Sequence, residues 1–418
     1  MKTKDPTKIA DEIRREPISR RQFLKLSGIT AAGFLAGRCT SEETQLEPGT
    51  PFALVNGTLI DGTGAKAMPD AAIIVRDDRI TAVGPRPDIE IPADSFIVKV
   101  QGKTILPGFI NSHVHWAFNR KNLSKWAREG VTTVRDLGRS TAYPENLFKT
   151  RNSLNANHKC ARLVAVGLFI NVEGGYPAAL WGGYMETVRS PEEARQAVNK
   201  LIDAGADVIK TAVESGYAFR RSGWPLLSPD ELNVLVKTAH ERGKPVTAHV
   251  TSARDLAPAL DAGVDEIAHM VVDELPNELV HRMIETGTRW VPTLELWQHA
   301  SRKYPVNYGE VSIKNLARFV EAGGEVALGT DYGGAPQMAF ELGMPISEIE
   351  WMMEAGMTPM QIIVSATKNA ARACNMEGQI GTLEVGKLAD ILLVDGDPLT
   401  DIHALTKVHL VLREGKSI

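Results

Sequence analysis

The stretch GFINSHVH, residues 108–115, ends an apolar run with two histidines and is the first of eight strand-like runs that decide the fold. The other seven runs, separated by helix-like segments, lie at 131–137, 162–170, 207–213, 245–250, 265–270, 289–294 and 325–331. Eight β/α units in series favour a (β/α)8 TIM barrel over an open doubly wound sheet. In such a barrel, the chemistry lies at the carboxyl ends of the strands.

Helix start and stop signals support this alternation. SPEE at 190–193 and SPDE at 228–231 resemble capping boxes with proline in the first helical turn. The two helices that follow end at glycine, in IDAGAD and HERGKP. We therefore place the barrel at residues 107–376.

The segments on either side of the barrel have a β-type sequence pattern without helix-like segments. Short alternating apolar runs broken by turn residues fill 49–106, and the same pattern returns at 377–418. Each segment is too short to form a complete β unit by itself. We therefore predict that the two ends of the chain pair in space as one β-sandwich.

Polar residues of metal-ligand type close five of the strand-like runs. They are His113 and His115, Lys210, His249, His269 and Asp331. Residues i and i+2 of a strand share a face, so the first two histidines can bind one metal ion. A lone histidine on an apolar strand is usually a core residue, but six such placements at one barrel rim indicate an active site. The buried lysine needs a partner or an altered chemical state, because burial disfavours its charge.

Several of these stretches together resemble a known family. LPGFINSHVH, the internal lysine, the two later histidines and GTD at 329–331 resemble the metal-dependent amidohydrolase superfamily. They are most similar to the branch that holds imidazolonepropionase-like and prolidase-type Xaa-dipeptidase enzymes. The resemblance runs from about residue 52 to the end of the chain and implies a urease-like β-sandwich around a (β/α)8 barrel.

The resemblance also implies a binuclear metal site. His113, His115 and Asp331 would bind one divalent ion, while His249 and His269 would bind a second. Lys210 would bridge the two ions as a CO2-derived carbamate, since an ammonium group has no acceptor atom. Zinc is the expected metal, and Asp331 is the expected proton acceptor in amide hydrolysis.

Loops after the barrel strands supply the expected substrate contacts. The candidates are Tyr176, Tyr217, Arg220 and Arg221. Related sequences often have histidine at the first of these positions, and they often have glutamate where Ala268 stands here. An arginine would clamp a substrate carboxylate, although a solvated basic turn explains the same residues.

The expected substrate is a small molecule, namely a dipeptide or an N-acyl amino acid. The alternatives are carbamate, phenylurea, lactone or organophosphate esters, which the same site can serve. A deaminase fits less well, because its mononuclear pattern needs no bridging lysine. A metal-free binding or scaffold protein is the remote alternative, since such proteins usually lose ligands and all six are present here.

The net charge and the first 48 residues bear on the binding partners and the cellular location of the protein. The 418-residue chain has a formal net charge of −4, which offers no basic field for nucleic acid. Ser19 to Lys25, SRRQFLK, resembles a twin-arginine export signal, and the apolar run after it is too short to span a bilayer. We expect export to the periplasm and no stable membrane span once the signal is removed.

The three cysteines indicate neither a lipid anchor nor a disulfide framework. Cys39 follows Arg38, where a lipoprotein signal requires a small residue, which argues against lipid attachment. Cys160 and Cys374 are expected to be unpaired buried thiols. Homo-oligomerisation is left open by the sequence.

Overall fold

The structure is a computed structural model that describes residues 51–138, 144–182, 185–334 and 338–418. The twin-arginine segment and Cys39 lie outside the described residues, so export stays a prediction, and so does the expectation that Cys39 carries no lipid. None of the helices in the described part of the chain is long and apolar enough to cross a membrane.

The two ends of the chain build one eight-stranded sheet. Its strands are β1 (Phe52–Leu59), β2 (Met68–Arg76), β3 (Arg79–Pro85), β4 (Phe96–Lys99), β5 (Lys103–Pro107), β15 (Ile391–Asp395), β16 (Val408–Arg413) and β17 (Lys416–Ser417). The strand order is β17-β16-β15-β5-β1-β2-β3, and β4 also pairs with β1. The antiparallel pairing of β15 with β5 joins the two ends, as predicted.

Alternation along the strands gives this sheet two different faces. Leu54 and Ile73 lie on one face in a core of their own, together with Ile391 and Leu393 of β15. Leu392, on the opposite face of β15, packs instead in the large core of the barrel. Successive side chains of a strand point to opposite faces, so a short run of apolar residues serves both cores.

Parallel strands form the barrel wall. They are β6 (Phe109–Val114), β7 (Val131–Asp136), β8 (Arg162–Ala165), β9 (Phe169–Val172), β10 (Glu186–Val188), β11 (Ile209–Ala212), β12 (Val246–His249), β13 (Glu266–Ala268) and β14 (Arg289–Val291). Their order is β6-β7-β8 in one sheet and β10-β9-β11-β12-β13-β14 in the other. The predicted fold, a (β/α)8 barrel with an added sheet domain, is confirmed.

Two of the eight predicted strands differ in detail. The run 162–170 is divided into β8 and β9, because Gly167 between them has a φ of 84°. The run 325–331 has only an isolated parallel bridge from Val326 to Trp290. Gly329 in that run lies so close to β6 that an added Cβ would stand 2.7 Å from the Cβ of His113. This close approach places the run against the barrel without a regular ladder.

Helices cover the barrel. They are α1 (Arg120–Arg128), α2 (Pro144–Asn155), α3 (Ala178–Trp181), α4 (Pro191–Ala204), α5 (Pro229–Glu241), α6 (Ala253–Asp261), α7 (Asn277–Glu285), α8 (Leu294–Lys303), α9 (Tyr308–Glu321), α10 (Ile346–Glu354), α11 (Pro359–Val364) and α12 (Ala370–Ala373). The predicted capping box at Ser228 is complete. At Ser190 it is incomplete, because the carboxylate of Glu193 accepts from the backbone N–H of Arg189 instead.

A buried ion pair joins the barrel to the sheet domain. Nη1 of Arg162, on β8, lies 2.5 Å from Oδ2 of Asp390, which directly precedes β15. Nη2 of the same arginine lies 2.8 Å from Oε1 of Glu414, after β16.

Cys160 and Cys374 are buried and free, as predicted.

Candidate metal centre

The barrel brings the six predicted ligands to the carboxyl end of its strands. Five of them lie at the ends of the barrel strands or just after them, namely His113, His115, His249, His269 and Asp331, whereas Lys210 is the second residue of β11. All of them except His115 are buried, with exposed fractions of 5% or less. Buried polar groups of this kind require partners, so the geometry around each one has to account for its burial.

The imidazole rings form a continuous cluster. The ring centres of His113 and His269 are 4.6 Å apart, and those of His269 and His249 are 4.5 Å apart. His115 lies 5.4 Å from His113 on the other side. Burial lowers the pKa of His113 to about 3, and it also lowers the pKa of His249 and His269. These three rings are therefore neutral, which is the form that binds metals.

Asp331 completes a three-residue group with the two histidines of β6. Its Oδ1 lies 3.2 Å from Nε2 of His113 and 3.1 Å from Nε2 of His115. One ligand atom from each residue lies within 4.8 Å of the others. Burial raises the pKa of Asp331, but the two imidazoles outweigh burial and hold it well below its usual range. The group offers two imidazoles and one carboxylate, a set that suits zinc.

Nδ1 of His115 and Nδ1 of His269 each have a hydrogen-bonding partner outside the cluster. Nδ1 of His115 lies 3.2 Å from the carbonyl oxygen of Gly138, which can only accept. Nδ1 of His269 lies 3.0 Å from Oγ1 of Thr293. Such outer partners set the tautomer and orient a metal-binding histidine. Nε2 of both rings is thereby left to face the cluster.

Lys210 is buried beside these rings with no hydrogen-bond partner for Nζ among the described residues. Its Nζ lies 5.5 Å from the ring centre of Phe169. Burial lowers the pKa of Lys210 to about 7, against the opposing effect of the Glu266 carboxylate. The side chain is therefore a largely neutral amine at pH above 7, and a neutral amine is nucleophilic.

The polar atoms without partners test whether this cluster fits metal ions. Both ring nitrogens of His113 and Nζ of Lys210 are buried without a well-directed hydrogen bond to a described residue. Most buried polar atoms in proteins are hydrogen-bonded. Unpaired ligand atoms on two neighbouring side chains therefore fit a bound cation. His113, His115 and Asp331 are accordingly placed to hold one metal ion.

A buried ion pair lies below the cluster, which sequence reasoning missed. Arg135 of β7 pairs with Glu266 of β13, and its Nε donates to the carbonyl oxygen of Ser112 at 2.6 Å. Oγ1 of Thr247 donates to the same carboxylate at 2.8 Å. Thr247 is in register with Lys210 on one side and Glu266 on the other. The pair is therefore part of the side-chain layer that also contains Lys210.

Two further missed residues contact ligand histidines. Thr293, whose hydroxyl contacts His269, has a φ of 49°, which is rare for a β-branched residue. Glu348 holds this turn by accepting from the backbone N–H groups of Leu294 and Glu295. Glu214 is fully buried beside His249. An acidic residue in a loop is usually solvated, so the sequence gives no signal for this last contact.

A cavity of about 330 Å³ opens above the cluster. Its lining is largely aromatic and aliphatic, and it includes His249, His269 and Asp331 at its base. The ring of Tyr176 stacks on His249 with centres 3.9 Å apart. Burial raises the pKa of Tyr176, so its hydroxyl stays protonated. The cavity is of a size and polarity that suit a small molecule.

Three of the four predicted substrate contacts line the cavity, and the fourth does not. Tyr176, Arg220 and Arg221 line the cavity, and both arginines are exposed at their places in the loop after β11. Tyr217 is 45% exposed and does not line it. Trp181, also half exposed, lines the cavity as part of its aromatic wall. The roles of these residues stay predictions.

Comparison with known proteins agrees with this geometry. The pattern of the amidohydrolase family matches residues 104–418. The chain belongs to the amidohydrolase family. It is accordingly a metal-dependent hydrolase that acts on carbon–nitrogen bonds.

Individual members of the amidohydrolase family are similar over most of their length. Imidazolonepropionase from Symbiobacterium thermophilum is 27% identical over 381 residues, covering 79% of this chain and 85% of the relative. Ochratoxinase from Aspergillus niger is 26% identical over 406 residues, covering 83% and 81%. A crystal structure of a Xaa-Pro dipeptidase with bound methionine in its active site is 25% identical, with a TM-score of 0.75 and coverage of 88% and 99%. The predicted superfamily and branch agree with these relatives.

Proposed function

We propose that this amidohydrolase is an exported binuclear enzyme that cleaves the amide bond of a dipeptide or an N-acyl amino acid. The observation that carries the proposal is the amine of Lys210, which is buried without a hydrogen-bond partner among the described residues and is close enough to His113 and His249 to interact with them electrostatically. A mononuclear site has no use for a group in this position. A carbamate there would supply one anionic oxygen to each of two cations.

The ligand sets follow from the two halves of the cluster. His113, His115 and Asp331 would hold one divalent cation, and His249 and His269 would hold the other. The neutral amine of Lys210 adds to CO2, forming an N–C bond and releasing one proton to solvent, and the product is a carbamate anion with two oxygens. Imidazole and carboxylate ligands favour zinc, which we propose as the metal.

Bound divalent cations lower the pKa of a water molecule and polarise the scissile carbonyl. The carboxylate of Asp331, which is deprotonated, accepts the proton of the attacking water and returns it to the departing amine. Tyr176 keeps its proton and stacks on His249, so it closes one side of the site. The apolar cavity wall excludes water from the rest of the substrate.

Arg220 and Arg221 suggest how the free carboxylate would be recognised. Replacing each with methionine keeps most of the side-chain length but removes the charge. One of these variants should raise KM about 10–100-fold for an N-acyl amino acid, since a hydrogen bond to a charged group contributes about 1.5–3 kcal/mol. KM for the corresponding C-terminal amide should change little. Steady-state kinetics on the two substrates measures this difference.

Arg282→Met is the matched control, because Arg282 is a partly exposed arginine on α7 that pairs with Asp261. It should leave both KM values unchanged. Equal effects of Arg220→Met and Arg221→Met on the acid and on its amide would show that the arginines form only a solvated turn.

A substrate panel tests the proposed reaction itself. Dipeptides and N-acyl amino acids are compared with aryl esters, carbamates, phenylureas, lactones and phosphotriesters, and the metal content is measured on the same preparation. We expect about two equivalents of zinc and preferential hydrolysis of the amides. Preference for carbamates, phenylureas or phosphotriesters would favour the alternative substrates. Protein without metal and without activity after metal addition would indicate a binding protein.

Export is the remaining part of the proposal, and it rests on SRRQFLK at residues 19–25. Replacing Arg20 and Arg21 together with lysine should retain the protein in the cytoplasm, since the twin-arginine route reads both residues. Fractionation of cells that express the native chain and the variant measures this. Equal periplasmic amounts of the two would contradict twin-arginine export.

A further inference from the structure

Glu214 is a fully buried carboxylate, so nearby groups have to compensate for the loss of its hydration. It follows Lys210 by four residues, just beyond the end of β11, and its exposed fraction is 0%. Its Oε2 lies 3.3 Å from Nε2 of His249. Taking a carboxylate out of water costs several kcal/mol unless charged or hydrogen-bonding groups compensate. The ring of His249 is therefore part of what stabilises this carboxylate.

We propose that Glu214 is a positioning residue that holds the ring of His249 in the orientation and tautomer needed to bind a metal ion. The inference rests on the proposed binuclear function. It concerns a residue outside the six ligands, and it specifies which ring nitrogen of His249 faces the metal.

The carboxylate is itself held in place from two sides. Oγ1 of Thr251 donates a hydrogen bond to Oε2, and the backbone N–H of Gly216 donates to Oε1 at 2.6 Å. With both oxygens already anchored, Glu214 cannot easily turn away from the ring. Such a fixed acceptor is what a metal-binding histidine requires on its outer side.

An ionised carboxylate only accepts hydrogen bonds, so it favours the tautomer of His249 that carries its proton on Nε2. Nδ1 is then left with its lone pair for a cation. The ring cannot turn freely, because Tyr176 stacks on it with ring planes 22° apart. The contact of Glu214 with Nε2 is longer than an ideal hydrogen bond, so the carboxylate and the tyrosine together set the ring orientation.

The other outer contacts are of a different chemical kind. His115 faces the carbonyl oxygen of Gly138, and His269 faces the hydroxyl of Thr293. Among these three outer contacts, only that of His249 is made to a carboxylate. A charged acceptor makes the ring a stronger electron donor to a cation than a neutral acceptor does. Glu214 should therefore contribute most to the metal held by His249 and His269.

Glu214→Gln tests this role, because the amide keeps the size of the side chain but has one acceptor oxygen for three donors. Metal retention is measured by dialysis against graded concentrations of a chelator, and Co2+-substituted protein is measured by visible absorption. We expect native protein to hold two equivalents. The variant should release one of them at about 10–100-fold lower chelator concentration, with a changed Co2+ spectrum.

Asp255→Asn is the matched control for loop stability. Asp255 is a buried carboxylate that accepts from the backbone N–H and the hydroxyl of Ser215, the residue next to Glu214, at 2.9 and 2.8 Å. It supports the same loop without a contact to His249. We expect Asp255→Asn to retain both metal equivalents and the native Co2+ spectrum.

Three outcomes would overturn the inference. In the first, Glu214→Gln keeps both metals with the native chelator midpoint and spectrum. In the second, Glu214→Gln and Asp255→Asn release metal to the same extent, so that the effect comes from the loop. In the third, native protein holds only one equivalent, which overturns the proposed binuclear function itself. Because the third outcome is read from native protein alone, the two failures are distinguishable.

Discussion

Lys210→Met should lose both metal ions and at least ~100-fold in kcat/KM, since even the loss of a residue that supports a metal ligand costs 10–100-fold. Methionine has nearly the size of lysine but cannot form a carbamate. The fold should persist, because an apolar side chain suits a position that is only 1% exposed. Metal analysis, kinetics and thermal unfolding of the same preparation measure the three effects.

A smaller substitution adds a chemical rescue. Lys210→Ala leaves room where the carbamate would lie, so formate or acetate should restore part of the metal content and activity. The same acids should not rescue Lys210→Met, in which the space is filled. Lys200→Ala is the control, because that lysine is exposed on α4 and pairs with Glu186. Unchanged metal content in Lys210→Met would show that the bridging role is wrong.

The positions of the candidate ligands were predictable because the alternation of side chains along a strand depends only on neighbouring residues. A strand that ends in His113, Val114 and His115 places two imidazoles on one face whatever the rest of the chain does. Parallel strands meet with their carboxyl ends on one side, so His249 and Lys210 come together with them. The chain ends were predictable for a similar reason, since neither β segment can bury its apolar face alone.

The contacts that orient these ligands were not predictable, because they join residues that are distant in sequence. Glu348 holds the turn at Thr293 from 55 positions away in the sequence, and Glu214 contacts a histidine on the next strand. No pattern in the neighbouring sequence predicts such pairs. Tyr217 shows the opposite error: its neighbours Arg220 and Arg221 line the cavity, but the loop turns its ring toward solvent.

Backbone strain at the site was also not predictable from the local sequence. His269, Thr293 and Asp331 all have positive φ, at 74°, 49° and 62°. Residues other than glycine rarely adopt this conformation, which costs about 1–3 kcal/mol each. Three such residues around one cluster indicate that the barrel holds the ligands in place at the expense of stability. Only glycine at these positions should relieve the strain, because every other residue keeps the Cβ that disfavours positive φ.

The backbone at Asp331 makes a sharp test of its side chain possible. Asparagine tolerates a φ of 62° about as well as aspartate, and glycine adopts it more easily. Asp331→Asn should therefore fold normally but lower kcat by about 10²–10⁴-fold, because an amide cannot accept the proton that the carboxylate takes. Asp331→Gly should be at least as impaired, with a melting temperature equal to the native value or higher.

Metal content separates the two roles of Asp331. Because its Oδ1 lies close to both His113 and His115, loss of the charge should also weaken the cation held by those histidines. Assay in saturating zinc restores the metal but not the proton acceptor, so kcat should remain low while the metal content recovers. Asp207→Asn, which removes a partly buried carboxylate that accepts from the backbone N–H of Ala165 at 2.9 Å, is the structural control. If saturating zinc returns Asp331→Asn to native kcat, the residue is a ligand only, and the proton must pass through another group.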